Sequence, residues 1–214
     1  MDSVNGGIHL VKLHGVSFSY PGHDVFKDFS ATVPPGMVIF QGDESTGKTT
    51  LIKLVAGELS VSSGMMTYPA LGLTASSVLL KHQYFLVGEQ ADHWESLTAQ
   101  AFFDHCHDRF EQLDARILAK LVDAFGLREH VEKNLYMLSR GSKRKVWLVA
   151  ALACGAPIIL IDDPFMALDH QSVVLLKDCL NEAAAWTDRA LIITQHVPDT
   201  DLLPTHLIDL NKVS

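Results

Sequence analysis

One octapeptide, GDESTGKT from Gly42 to Thr49, constrains this chain more than any other stretch. It fits G-x-x-x-x-G-K-[ST] at every fixed position, a match expected by chance roughly one per cent of the time at this length from average residue frequencies. The apolar run MVIF (37–40) precedes it and KTTLIKLVAGEL continues from it, so strand, loop and helix come in the order the motif requires. Backbone N–H groups of such a loop, with the helix N-terminus behind them, surround phosphate oxygens. Lys48 brings a point positive charge to the β- and γ-phosphates, and the Thr49 hydroxyl can ligate Mg²⁺. The bland alternative is a glycine turn carrying a solvated lysine.

A second stretch, PIILIDDPFMALD (157–169), places an apolar strand directly before two carboxylates, Asp162 and Asp163, with Asp169 seven residues after the first. Adjacent like charges at a strand end are costly unless a cation or a reacting group lies between them. Around these two motifs, IHLVKLHGVSFSY (8–20) alternates in part and reads as one or two strands ended by Pro21-Gly22. DFSATV runs into the turn Pro34-Pro35-Gly36, and YFLV (84–87) is a further strand. Residues 97–153 space apolar side chains at three and four, as helices do. The strand IILID, the helix QSVVLLKDCLNEAAAW, the strand ALIIT and a short strand at HLIDL complete the order. Strands alternating with helices imply a largely parallel sheet covered on both faces. No internal repeat and no low-complexity linker interrupts it.

Composition limits what such a chain can be. Of 214 residues, 48% are hydrophobic and 20% charged, enough for a sizeable core and against disorder. A net charge of −8 argues against non-specific nucleic-acid binding, which needs a basic face. Three scattered cysteines, Cys106, Cys154 and Cys179, suit buried thiols in a reducing compartment. MDSVNGG lacks a leader pattern, and VWLVAALAC is too short to span a bilayer, so any service to a membrane is expected to run through a partner.

Motifs beyond the phosphate loop narrow the choice. LSRGSKRK, whose Ser139 stands 23 residues before Asp162, resembles the signature motif of ATP-binding cassette (ABC) ATPases. IILIDDP resembles their second nucleotide motif, MALD their D-loop, LIITQH their switch histidine and YFLVGEQ their Q-loop, while Tyr20 is similar to their adenine-stacking aromatic. The resemblance spans about residues 8–210. The short length, the PF after the acid pair and Lys143-Arg144 after the signature are also similar to compact haem-exporter ATPases of cytochrome c maturation.

The resemblance implies an α/β P-loop NTPase with a mostly parallel central sheet, an antiparallel β region at the N-terminus and a helical insertion. It would be one ABC ATPase domain over 1–214, with 1–90 and 154–214 as the nucleotide-binding core and about 91–153 as a helical subdomain carrying the signature. ATP and Mg²⁺ are the implied ligands. Tyr20 would stack on adenine; Gly42, Ser45, Thr46, Gly47, Lys48, Thr49 and Thr50 would hold the triphosphate and its metal. Gln90 would touch Mg²⁺ and the attacking water, Asp162 would hold Mg²⁺ and Asp163 would polarise the water. His196 would contact the γ-phosphate, and Asp169 would cross to the opposite subunit. Ser139 and Gly141 would bind the γ-phosphate held by that subunit, so a homodimer or a heterodimer with another ABC ATPase is implied. Integral membrane subunits are the other implied partners, nucleic acid is not, and the location is cytoplasmic, peripheral at the inner face of the membrane.

Plainer readings stand beside these. Tyr20 could pack under Pro21, Gln90 could be a polar loop residue, and His196 could be a hydrogen-bonded strand terminus. The HCH run at 105–107 is expected to be a solvated helix face rather than a metal site, because adjacent helical residues point apart. Lys143, Arg144 and Lys145 are expected to stay solvated or to support phosphates across the dimer. Three departures from the family pattern matter: Asp163 where Glu is usual, Arg140 and Ser142 within the signature, and the acidic Asp43-Glu44 with Ser45 in the phosphate loop. The chain ends soon after the last strand, so no further domain is expected. A degenerate cassette that binds ATP as a regulatory partner is one alternative; a soluble cassette ATPase of translation or DNA repair is another.

Overall fold

Apolar runs bounded by turns become central strands here because both of their faces are covered. The protein is described by a computed structural model over residues 8–88 and 94–212. In chain order the elements are β1 (Val11–Tyr20), β2 (His23–Val33), β3 (Gly36–Gln41), α1 (Lys48–Val55), β4 (Ser63–Tyr68), β5 (Leu73–Thr74) and β6 (Tyr84–Val87). Then come α2 (Ala99–Arg109), α3 (Ala115–Ala124), α4 (Arg140–Ala153), β7 (Ile158–Ile161), α5 (His170–Ala183), β8 (Ala190–Gln195) and β9 (His206–Asp209).

Five strands make a parallel sheet in the order β6-β7-β8-β3-β9, and four make an antiparallel sheet in the order β2-β1-β4-β5. Side chains alternate across the parallel sheet and so divide between two cores. Met37, Ile39, Ile159, Ile161, Leu191 and Ile193 face one cluster, shared with the buried sides of α2, α4 and α5. Val38, Phe40, Ile158, Leu160 and Ile192 face the other, shared with α1 and the antiparallel sheet. Ile159 is fully buried, and its truncation to Ala would cost about 2–5 kcal/mol. The expected helical stretch holds α2, α3 and α4, and its apolar side chains belong to the same cluster as one face of the sheet.

The architecture agrees with the α/β reading, including the antiparallel region near the N-terminus. Two differences have physical causes. The helix after the phosphate loop stops at Val55 rather than at Leu59, because Gly57 adopts φ +72° and the Glu58 N–H returns to the Lys53 carbonyl at 2.9 Å. Strands β4 and β5 have no counterpart in the sequence reading; the segment SGMMTYPALGLT has no sustained alternation and is held by pairing to β1.

Burial pushes the Cys106 thiol up to about 12 and those of Cys154 and Cys179 to about 11. All three are free cysteines kept as inert thiols, as their scatter suggested.

Candidate functional site

The phosphate loop leaves the C-terminal end of β3 and enters α1 with Gly47 as the residue before the helix. Gly47 has φ +90°, and a Cβ there would lie 2.5 Å from Val25 Cγ1 and 2.8 Å from Phe26 Cζ. A Cβ on Gly42 would lie 2.5 Å from Thr46 Oγ1. Both glycines are therefore required by close approach, not by loop flexibility. Ser45 takes φ +64°, a left-handed conformation that glycine adopts without strain. Inside the loop, Thr46 Oγ1 donates to the Asp43 carbonyl at 2.9 Å, and Lys48 Nζ donates to the carbonyls of Gly42 at 2.7 Å and Asp43 at 2.5 Å. An ammonium has three donors, so one remains for a phosphate oxygen.

The acid strand reaches this loop from far along the chain. Asp162 accepts from Thr49 Oγ1 at 2.6 Å and from Thr194 Oγ1 at 2.5 Å. Thr194, at the end of β8, also accepts from the Asp163 N–H at 3.1 Å. His196 Nδ1 lies 3.3 Å from the Gly42 carbonyl. Lys48, Thr49, Asp162, Thr194 and His196 thus converge at the C-terminal ends of β3, β7 and β8, where parallel sheets of this kind hold their ligands. Asp163 is exposed and takes φ +48°, a conformation that Asp tolerates better than most side chains.

An open groove of about 240 Å³ continues from the loop to Tyr20, with His23, Ser45, Lys48, Thr49 and Thr50 among its walls. Tyr20 is 41% exposed, lies in a T-shaped contact with Phe18 at 5.0 Å between centroids, and lines the groove. An aromatic wall at one end and an ammonium with hydroxyls at the other fit a nucleotide triphosphate. The Thr49 hydroxyl beside the Asp162 carboxylate fits a magnesium ion, which takes one or two protein oxygens together with substrate phosphates. On α2 the HCH run turns its side chains apart: His105 and His107 are exposed while Cys106 is buried.

Ser139, Arg140 and Gly141 open α4. Ser139 caps the helix, its Oγ accepting from the Ser142 N–H at 3.1 Å, and both Ser139 and Arg140 are exposed. Gly141 has an intrachain reason to lack a side chain, because a Cβ would lie 2.7 Å from the Ala167 carbonyl oxygen. Asp169 caps α5 through Ser172 and pairs with Lys145 at 2.6 Å. The hydrogen bond from Lys145 and then that from the Ser172 N–H hold its carboxyl well below the usual carboxylate range. Gln90 lies outside the described residues.

The structure corrects the expectation of a solvated basic cluster. Successive helical residues point about 100° apart, and each of the three finds a different partner. Lys143 pairs with Glu95 at 2.6 Å, Lys145 with Asp169, and Arg144 turns inward to 2% exposure. Arg144 donates to the carbonyls of Asp162 at 2.6 Å and Asp163 at 2.7 Å, with a longer approach of 3.5 Å to Gly88 O. Burial pulls its guanidinium below the usual range, and Asp163 and Asp162 oppose that pull. Arg144 and Thr194 are the site residues the sequence reading missed. The signal for Arg144 was its spacing: Trp147, Leu148 and Ala151 lie three, four and seven residues on, along the buried face of α4.

The geometry has counterparts among known proteins. Residues 26–166 match the family model described as ABC transporter. A taurine import ATP-binding protein, TauB of Pseudomonas fluorescens (strain Pf0-1), is 30% identical over 211 residues, covering 93% of this chain and 76% of the relative. A cytochrome c biogenesis ATP-binding export protein, CcmA of Xylella fastidiosa (strain 9a5c), is 26% identical over 207 residues, covering 95% and 91%. A solved structure described as a putative ABC transporter ATP-binding protein from Pyrococcus furiosus superposes with a TM-score of 0.77 at 22% identity, covering 95% of this chain and 98% of that one, which shows the shared fold. One relative is named for import and the other for export, so what they share is the ATP-binding subunit. With the phosphate loop, the acid pair and the signature helix in place, the chain belongs to the ABC transporter family as an ATP-binding subunit of the ATP-hydrolysing kind.

Proposed function

We propose that this subunit hydrolyses ATP in the presence of Mg²⁺ at a site completed by a second cassette, and that its closure drives separate membrane subunits. The observation that carries the reading is the 2.6 Å hydrogen bond between Thr49 and Asp162, which joins the phosphate loop to the acid strand across 113 residues. Tyr20 would take the adenine face, and the loop amides from Ser45 to Thr49 with Lys48 would hold the phosphates. Thr49 and Asp162 would hold Mg²⁺, which when bound neutralises charge on the β- and γ-oxygens. Asp163, at the mouth of the site, would orient the attacking water, and His196 would contact the γ-phosphate. Catalysis in this design is positioning and electrostatics, with little covalent work for the protein.

Ser139 and Gly141 stand at an exposed helix N-terminus, which suits capture of a phosphate carried by the opposing chain, a second copy or another ABC ATPase. In such an assembly Asp169 would sit at the facing edge while keeping its own cap. Among the described residues no helix is long and apolar enough to cross a membrane, which supports a peripheral subunit held by membrane partners. TauB and CcmA are both ATP-binding proteins of transporters, and no observation favours the regulatory alternative.

Turnover is expected to be slow. Asp163 is one methylene shorter than the usual Glu, and a misplacement near 1 Å costs on the order of a hundredfold in rate. Measuring phosphate release from Asp163→Glu tests this: a faster variant supports the reading, and a variant no faster than the parent removes the geometric argument.

A further inference from the structure

Among the described residues, Arg144 is the one charged side chain that is buried, and no carboxylate lies within ion-pair distance of it. Burying a guanidinium is costly unless its donors are used. Its Nε finds no partner, while its terminal nitrogens go to main-chain carbonyls at the ends of two neighbouring strands. Two of those carbonyls belong to Asp162 and Asp163. The side chains of the same acids face the opposite way chemically: Asp162 is bonded to Thr49 and Thr194, and Asp163 is exposed with a left-handed backbone. The acid pair is therefore fixed through its backbone by one residue of α4, the helix whose first turn carries Ser139 and Gly141. Lys145 adds a second tie from that helix to Asp169 at 2.6 Å.

We infer that Arg144 is a positioning residue for hydrolysis: it sets the backbone on which Asp163 stands and so links the placement of that carboxylate to the placement of the signature helix. The inference rests on the proposal that Asp163 orients the attacking water. Both carbonyls accept from the same terminal nitrogen, Nη2, whose two N–H bonds have fixed directions in the guanidinium plane, whereas an ammonium is a point donor on a flexible stem. A methionine in its place would fill the volume without holding either carbonyl. Arg144→Met removes a buried charge but also the donor to two carbonyls and is expected to lose some stability, so Arg144→Lys, which can still donate, is needed to separate the rate from the fold.

The test compares Arg144→Met, Arg144→Lys, Asp163→Ala and the double variant Arg144→Lys/Asp163→Glu in the purified full chain. The readouts are kcat, KM, binding of a fluorescent ATP analogue and thermal midpoint. The expected result for both Arg144 single variants is a fall in kcat of about ten- to a hundredfold, as for a catalytic group displaced by about 1 Å. Analogue binding should stay within about threefold of the parent, since the phosphate loop is untouched. In the Arg144→Lys background the gain from Asp163→Glu should disappear, because a longer carboxylate on a loosened backbone is no better aimed. The inference is overturned if Asp163→Ala abolishes turnover while Arg144→Lys hydrolyses like the parent, or if analogue binding falls in step with kcat. If instead Asp163→Ala turns over like the parent, the underlying reading of Asp163 fails on its own, whatever the Arg144 variants do. Should Arg144→Met melt early, Arg144→Lys, which keeps the charge, decides the outcome.

Discussion

The phosphate loop and the start of α4, the two places proposed above to hold phosphate, are built differently. Residues 42–49 are shaped partly from within, by bonds from Thr46 to Asp43 and from Lys48 to Gly42 and Asp43, and partly by ties to Asn211, Asp162, Gln195 and His196. The start of α4 is bonded locally only around Ser139, to Ser142 and Lys143, and its other side-chain ties reach Glu95, Gly88, the acid pair, Met166 and Asp169. The groove beside the loop and the cavity of about 340 Å³ at Gly88, Glu95, Arg140 and Met166 share no lining residue. A cradle shaped within one chain can bind nucleotide there. On the proposed reading, a start tied to the acid strand would couple arrival of the opposing chain's phosphate to that strand.

The contrast is broken most severely at Lys48. Lys48→Ala removes a positioned charge from the cradle and should lower hydrolysis by roughly 10²- to 10³-fold, read as phosphate release, while leaving the α4 contacts intact. If the loss were under tenfold, the loop would not be the principal phosphate holder.

Ser139→Ala acts on the other side. Losing the cap should cost about 1 kcal/mol in a denaturant titration. Hydrolysis should fall as well, while analogue binding to the single chain stays within twofold, because the cradle is elsewhere. Weakened single-chain binding would erase the distinction between the two regions.

Ser45→Gly sharpens the comparison from the cradle side. Relief of a left-handed backbone, less the entropy glycine loses on folding, should raise stability by about 0.5–1 kcal/mol. The gain should appear in the denaturant midpoint with no fall in ATP affinity.

The smallest effect concerns the tie between Lys145 and Asp169. The Asp169 carboxyl is depressed in the folded chain, so its contribution is present above the unfolded value near 3.8 and is lost as pH falls below it. Because the group is half exposed, only a modest flattening of the acid limb is expected for Asp169→Asn when thermal midpoints are compared between pH 5 and pH 2.5.

These differences also explain what the sequence made legible. The parallel sheet, the loop and the strand ends carrying Asp162 and His196 rest on short-range patterns, so GDESTGKT, IILIDD and LIITQH could be read directly. Strand β4 depends on pairing with β1 and β5 on pairing with β4, and their residues carry little pattern of their own. Arg144 was hidden because three consecutive basic residues look like a solvated face until the helix's rotation sends each to a separate partner. Gly141 was read for its partner in another chain, and the structure adds a reason inside this one, the approach of Ala167 O.

That two chains share each nucleotide is tested most directly by complementation between Lys48→Ala and Ser139→Asp. Aspartate caps a helix as well as serine does but repels a phosphate, so the second variant should fold normally and lose only the clamp. Each protein alone should be nearly inactive, and mixing them should restore phosphate release, since one site of the mixed pair joins an intact loop to an intact clamp. Parent-like hydrolysis by Ser139→Asp alone, or no recovery when sizing shows that mixed pairs form, would contradict the shared site.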